Sequence, residues 1–238
     1  MNLIVNVKDF QKNFIKPILD VEKDSKVAIF HEDNDIYSIC KKDGVILYST
    51  FKPHSIVEAV PRFNINLAQL KKGLDCLKDK EMISLKVKGR EIAYADDLLR
   101  FNVKLLEDSV IPPVNQNLRR MSSFEYPTQF TVTPETMNDL KKAKGFSTSP
   151  KFYLVCEDGK VFFNLADKLT AHDNEISVFI TDQYKGEIKE NIYEISVLDL
   201  LCEFKCDILV KIMENGSLMF EIENSTSILR YLVLALKK

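Results

Sequence analysis

The chain carries an internal duplication. Leu98-Leu99-Arg100-Phe101-Asn102-Val103 returns as Ile228-Leu229-Arg230-Tyr231-Leu232-Val233. Upstream of each copy a polar residue, Asn66 or Ser196, opens a short apolar-periodic stretch, LAQLKKGLDCL or VLDLLCEF. Two strand-like runs fill the interval each time: MISLKVKG and EIAYAD in the first half, DILVKIME and SLMFEIE in the second. The early parts correspond as well. Lys26 opens KVAIFHEDNDIYSI and Lys151 opens KFYLVCEDGKVFFN, with Glu32-Asp33 standing over Glu157-Asp158. A repeat of this length argues for two domains of one fold in tandem. The 238 residues then divide into halves of about 110 residues, each able to bury its own core.

Hydrophobic content of 45% and charged content of 29% predict a soluble globular protein. No apolar run approaches a membrane span, and MNLIVNVKDF lacks the basic-then-apolar order of a signal peptide. The five cysteines are odd in number and form no small-domain framework, which points to a reducing, cytoplasmic compartment. Cys202 and Cys206 are spaced like one helical turn, but no histidine or second cysteine pair completes a metal site. No cofactor is expected. No glycine-rich phosphate loop occurs, and no spacing suggests a nucleophile with its base. Asp96-Asp97 falls between strands, where two solvated carboxylates are the simpler reading. The pattern argues against an enzyme.

Each half reads as strand, helix, strands, then strand, helix, strands, an α+β class. Asn6 is positioned to cap a first helix running to about Pro17, which ends or kinks it. Asp43-Gly44 signals a hairpin turn. Thr133 caps a third helix with Pro134 in its first position, and Gly145 stops it. Residues 107–127, with three prolines and no period, read as a connector. The expected boundaries are 1–107 for the first domain, 108–127 for the connector and 128–238 for the second domain.

Net charge is −2, so any affinity for nucleic acid must come from where the charges lie. At about 100° per residue, Phe10, Phe14 and Ile18 share one helix face, with Lys8, Lys12 and Lys16 opposite. Leu67, Leu70, Leu74 and Leu77 form the stripe of the second helix, with Lys72 opposite and Lys71 on its flank. On the third, Met137 and Leu140 face inward and Lys142 outward, with Lys141 beside it. An ordinary amphipathic helix shows mixed signs outside, whereas these faces are mostly basic and the acids gather in strands and loops. That distribution suits presentation of the helices to a phosphate backbone. The fourth helix is the misfit, with Asp199, Cys202 and Glu203 outside.

Two domains of doubled strand-helix-strands units, with basic helices and a long connector, resemble the DNA sliding clamps, among them proliferating cell nuclear antigen. The resemblance spans the whole chain. FTVTPETMNDLKKAKGFSTSPKFYLVCEDGKVFFNLADK is similar to the helix and hairpin that open the second domain of a T-even phage clamp. The resemblance implies two tandem clamp domains with helices on one face of the sheets. It implies a homotrimeric ring that encircles duplex DNA, tethers a DNA polymerase, and is opened by a separate ATP-dependent loader. A phage-encoded clamp would act in the host cytoplasm or nucleoid. Lys8, Lys12, Lys16, Lys71, Lys72, Lys141 and Lys142 would then contact phosphate. Ring closure in the family joins the last strand of domain one to an edge strand of domain two. Those positions match Arg100, Phe101, Val103 and Leu105, and Ile176, Val178 and Ile180. Partners of clamps insert a peptide near the connector or chain end, which here implicates Val110, Ile111, Pro112, Leu234 and Leu236, rimmed by Lys237-Lys238. Two alternatives share the fold: a non-ring viral processivity factor gripping DNA through a basic face, and a subunit of a heteromeric clamp.

Overall fold

The computed structural model describes residues 1–113, 126, 128–166, 175–182, 184, 188–189 and 191–236. The chain divides into two compact units. Unit 1 comprises Met1–Lys42, Leu47–Arg119 and Glu223–Leu229. Unit 2 comprises Asp43–Ile46, Arg120–Ile222 and Arg230–Lys238.

In unit 1, β1 (Asn2–Asn6) pairs on one side with β5 (Ser55–Val57) and on the other with β7 (Met82–Lys88), followed by β8 (Glu91–Ala95) and β9 (Arg100–Lys104). A second set runs β4 (Val45–Phe51), β3 (Asp35–Lys42), β2 (Lys26–Glu32), β6 (Arg62–Asn66). The later strands, the last of them with its first three residues in unit 1, repeat the scheme. β10 (Thr128–Val132), β15 (Ile208–Ile212), β16 (Leu218–Glu223) and β17 (Ser227–Val233) mirror β1-β7-β8-β9. β13 (Ile176–Thr181), β12 (Lys160–Leu165), β11 (Lys151–Glu157) and β14 (Ile192–Glu194) mirror β4-β3-β2-β6. The duplication seen in the residues is therefore a duplication of strand order. It extends to the turns: Asp33 and Asp158, matched by the repeat, both take positive φ, 53° and 50°. Asp43 and Gly44 do so together (48° and 80°), the geometry of a tight hairpin turn whose twist matches the strands.

The helices begin where side-chain caps place them. The Asn6 side chain accepts from Asp9 N and opens α1 (Val7–Phe10); Asn66 accepts from Gln69 N and opens α3 (Leu67–Asp75). Thr133 accepts from Thr136 N at the start of α4 (Pro134–Phe146). Each satisfies an amide that the first helical turn leaves without a partner. Three expectations need correction. The first helix does not end at Pro17. After α1 it widens into a π turn, Gln11–Ile15, and continues as α2 (Lys16–Val21) with Pro17 in its first turn. Lys16 N donates to Gln11 O, five residues back, so the ladder changes register just before the residue that has no N–H to give. Second, α4 runs through Gly145 to Phe146, because a single glycine costs a helix only about 1 kcal/mol. Third, α5 (Ser196–Leu201) starts after Ile195 without a side-chain cap, and Cys202 and Glu203 lie in the turn beyond it.

The core follows the apolar stripes. Phe10, Phe14 and Ile18 are buried under the first helix, Leu67, Leu70 and Leu74 under α3, and Met137, Leu140 and Ala143 under α4. Phe10, Phe14 and Phe51 form an aromatic cluster with centroids 5.1 to 6.0 Å apart. Gly73 sits where a Cβ would meet the Phe101 ring at 2.8 Å, so β9 lies against α3 without room for a side chain there.

One charged cluster is half-buried in unit 2. Glu221 accepts from Lys211 Nζ (2.9 Å) and Arg230 Nε (2.6 Å) across three neighbouring strands. Burial pushes its carboxyl up, but the hydrogen bonds and charges of Arg230 and Lys211 outweigh burial and hold it below the usual glutamate value. A depressed folded pKa stabilises above the unfolded value, about 4.3, and that stability is lost as pH falls through the folded value. Glu221→Gln should therefore lower stability at neutral pH by about 1–3 kcal/mol and flatten the decline of the melting temperature in acid. Parallel melting curves for the two proteins from neutral pH into acid would refute the cluster's role.

Candidate nucleic-acid interface

The seven helix lysines named from the sequence all stand outside the apolar stripes; six are exposed and Lys71 is half-buried. Their electrostatic settings differ. Lys16 pairs with Asp20 and Lys71 with Asp75, each at 2.7 Å within its own helix. Gln11 Nε2 also donates to Asp75 Oδ1 (3.2 Å), tying the π turn to α3. Lys8, Lys12 and Lys72 have no carboxylate partner among the described residues. On α4, Lys142 pairs with Asp139 (2.9 Å) and Lys141 lies 3.9 Å from Glu203. Lys144, which the sequence reading passed over, pairs with Asp199 of α5.

The strands matched to ring closure lie at sheet edges. Among the described residues β9 pairs only with β8, and β13 only with β12. Their side chains are divided. Arg100 is exposed, Phe101 and Leu105 are half-buried, and Val103 is buried, with Phe101 stacked on Tyr94 at 5.8 Å. Ile176 and Val178 are half-buried and Ile180 is buried, while Phe179 on the opposite face is 48% exposed. What these edges offer a partner is therefore mainly backbone. Strands left bare in this way template further pairing.

The connector and chain-end residues fall in different units. Asp108 Oδ1 accepts from Asn64 Nδ2 (2.6 Å) and pairs with Arg62 (3.1 Å), which fixes a 3-10 turn, Asp108–Val110, onto unit 1. Val110 and Pro112 are exposed there and Ile111 is buried. The rest of the connector, 114–125 and 127, lies outside the described residues, as do Lys237 and Lys238. In unit 2, Leu234 and Leu236 line a cleft of about 530 Å³ with Val233, Ala235, Ser196 and Gly44. Leu234 N donates to Gly44 O (3.3 Å) and Leu236 N to Ile192 O (2.8 Å), holding the segment extended. The charges on the described lining are Asp43 and Glu194.

No protein-family model and no curated protein sequence matches this chain. Solved structures do. PCNA of A. fulgidus, solved with the C-terminal region of FEN-1 bound, is similar over 100% of this chain and 98% of its own, with a TM-score of 0.77 and 10% identity. PCNA of Entamoeba histolytica is similar over 99% and 98%, with a TM-score of 0.74 and 10% identity. The DNA polymerase III β subunit of Pseudomonas aeruginosa is similar over 100% of this chain and 65% of its own, with a TM-score of 0.73 and 11% identity.

This is the DNA sliding-clamp fold.

The clamp fold accounts for the repeated strand order. It also shows what the sequence could not. Glu203 and Asp199 approach the α4 lysines from beyond or within another helix, and Asp43 reaches the chain-end cleft from a distant hairpin turn. Lys78, an exposed cation in the turn after α3, shares a polar cleft of about 410 Å³ with Lys8. It lies past the end of α3, where helical period carries no information. Among the described residues no group of three or more His, Cys, Asp or Glu side chains could hold a metal ion, and no helix is long and apolar enough to cross a membrane.

Proposed function

We propose that this chain is a DNA polymerase processivity factor. Three copies join β9 to β13 head to tail, the closed ring encircles duplex DNA, and a separate ATP-dependent loader opens it. The observation that carries this reading is the clamp fold over the full chain combined with unpaired lysines on the helix faces. A topological tether needs weak, mobile phosphate contacts and no base readout, and lysines on flexible stems suit that better than bidentate arginines. Solution mass tests the assembly: three times 27.4 kDa is expected. A stable lone monomer would favour the heteromeric or non-ring reading. Topology is tested by loading the protein onto nicked circular plasmid and then linearising it. A ring is retained on the circle and lost through the ends, whereas equal retention would sink the encircling mechanism.

Polymerase and other partners bind, in this reading, through a short peptide. Supporting it, the A. fulgidus PCNA was solved with a C-terminal region of a partner bound. The chain-end cleft fits an aliphatic or aromatic anchor next to a lysine or arginine that meets Asp43 and Glu194. Leu234 is 40% exposed and Val110 46%, so both can be changed without opening the core. Leu234→Asp should weaken binding of the cognate polymerase's C-terminal peptide about tenfold or more if the cleft anchors it. If Val110→Asp has that effect and Leu234→Asp has none, the connector is the anchor instead.

A further inference from the structure

The two helix pairs are counterparts in the fold but not in charge. Around α4 and α5 every α4 lysine has a carboxylate beside it: Lys141 with Glu203, Lys142 with Asp139, Lys144 with Asp199. Three positive charges meet three negative ones. In unit 1 only Lys16 and Lys71 are paired among the helix lysines. Lys8, Lys12 and Lys72 have no ion pair among the described residues, nor does Lys78, which shares with Lys8 a cleft that Lys80, Asp79 and Glu81 also line.

Exposed ion pairs of this kind contribute little to stability. Their consequence is in the field outside the protein. Opposite charges a few ångströms apart largely cancel for a phosphate at a distance approaching the Debye length, about 8 Å at physiological salt. A phosphate that does reach Lys141, Lys142 or Lys144 must displace a carboxylate that repels it. An unpaired lysine has neither penalty, and its counterion is released in full on contact.

We propose that each protomer grips the duplex through unit 1, with Lys8, Lys12, Lys72 and Lys78 supplying the phosphate contacts, while Asp139, Asp199 and Glu203 hold the α4–α5 face neutral so that DNA passes it without being gripped. This rests on the processivity reading and narrows it: contacts alternate with non-gripping sectors around the ring, which keeps the tether mobile. The carboxylates thereby acquire a role that position on a helix surface would not assign them.

The test is the salt dependence of binding to a short fluorescein-labelled duplex, read as the slope of log affinity against log salt for the full-length protein. Lys8→Gln with Lys72→Gln should flatten the slope by about one per lost phosphate contact, hence about six in a ring of three protomers. Lys78→Gln alone should flatten it by about three, one per protomer. Lys141→Gln with Lys142→Gln should leave it unchanged. Asp199→Asn with Glu203→Gln should steepen it, by releasing Lys144 and Lys141 to bind phosphate. Melting temperature and solution mass serve as controls, since all these side chains lie outside the core. Equal flattening by the unit 1 and unit 2 lysine pairs would overturn the division between the units. Flattening by neither pair would overturn the helix-face interface as a whole, and with it this inference, while leaving the ring open to the mass and linearisation tests.

Discussion

If the proposed ring closes through β13, one of the variants Ser177→Pro and Val178→Pro will run as a folded monomer of 27.4 kDa while the parent protein runs as a trimer. Successive amides along a strand point to opposite sides. At 177 and 178, opposite Asn164 and Phe163 of β12, one amide is turned toward the ladder within the chain and the other toward the bare edge. Proline at the inward position removes an internal bond and loosens β13. At the outward position it leaves the chain's own sheet intact and removes a donor from the proposed contact with β9 of the next subunit. Circular dichroism separates the two, since the monomer of interest keeps its sheet signal. The equivalent pair on β9, Asn102→Pro and Val103→Pro, should divide in the same way if that strand forms the other half of the contact. Wild-type mass in all four variants would place the subunit contact elsewhere.

Phe14→Ala will destabilise unit 1 by about 3–5 kcal/mol, as for other fully buried aromatic truncations. Phe14 has no exposed surface, stacks on Phe10 at 5.5 Å and lies 6.0 Å from Phe51. Its loss leaves a cavity bounded by two rings that are held by their own helix and strand and cannot collapse into it. Against a typical total of about 5–15 kcal/mol the change is large. Urea denaturation measures it as a fall in the midpoint with an unchanged slope. A loss under about 1 kcal/mol would mean that the cluster can repack around the deletion.

What the residues disclosed and what they withheld divide by the range of the interaction. Asn6, Asn66 and Thr133 could be assigned as helix starts because a cap acts over three residues. Asp43-Gly44 could be assigned as a turn because backbone strain is local. The duplication was visible because both copies keep the same polar, apolar and arginine positions through their final strands. Pro17 misled because proline's usual effect was taken without the option of a wider turn, which tertiary packing of Phe14 and Ile15 makes available. At the candidate interface, helical period sorted the lysines from the core correctly. It carried no information on which lysines would be neutralised: Lys144 and Asp199 are distant in sequence, and no periodicity links separate helices. The acidic part of the chain-end cleft was out of reach for the same reason. Asp43 and Glu194 line it from elsewhere in the sequence, while Lys237 and Lys238, expected as its rim, lie outside the described residues.

The π turn has a bearing on how this chain can vary. It holds one residue more than an α-helix over the same path, so it amounts to a codon that the first helix carries in excess. Deleting one residue within Gln11–Ile15 would not be a silent trim. It would restore the tighter ladder, press the Pro17 ring against a carbonyl four residues back, and rotate everything after it by about 100°. Ile18 and Val21, now buried, would swing off the core, and the hydrogen bond from Asn13 Nδ2 to Thr226 Oγ1 (3.0 Å) would lose its geometry. As far as folding goes, the helix therefore tolerates many exchanges on its lysine face but not a change in length, and proline at position 17 is tolerated only together with the extra residue before it.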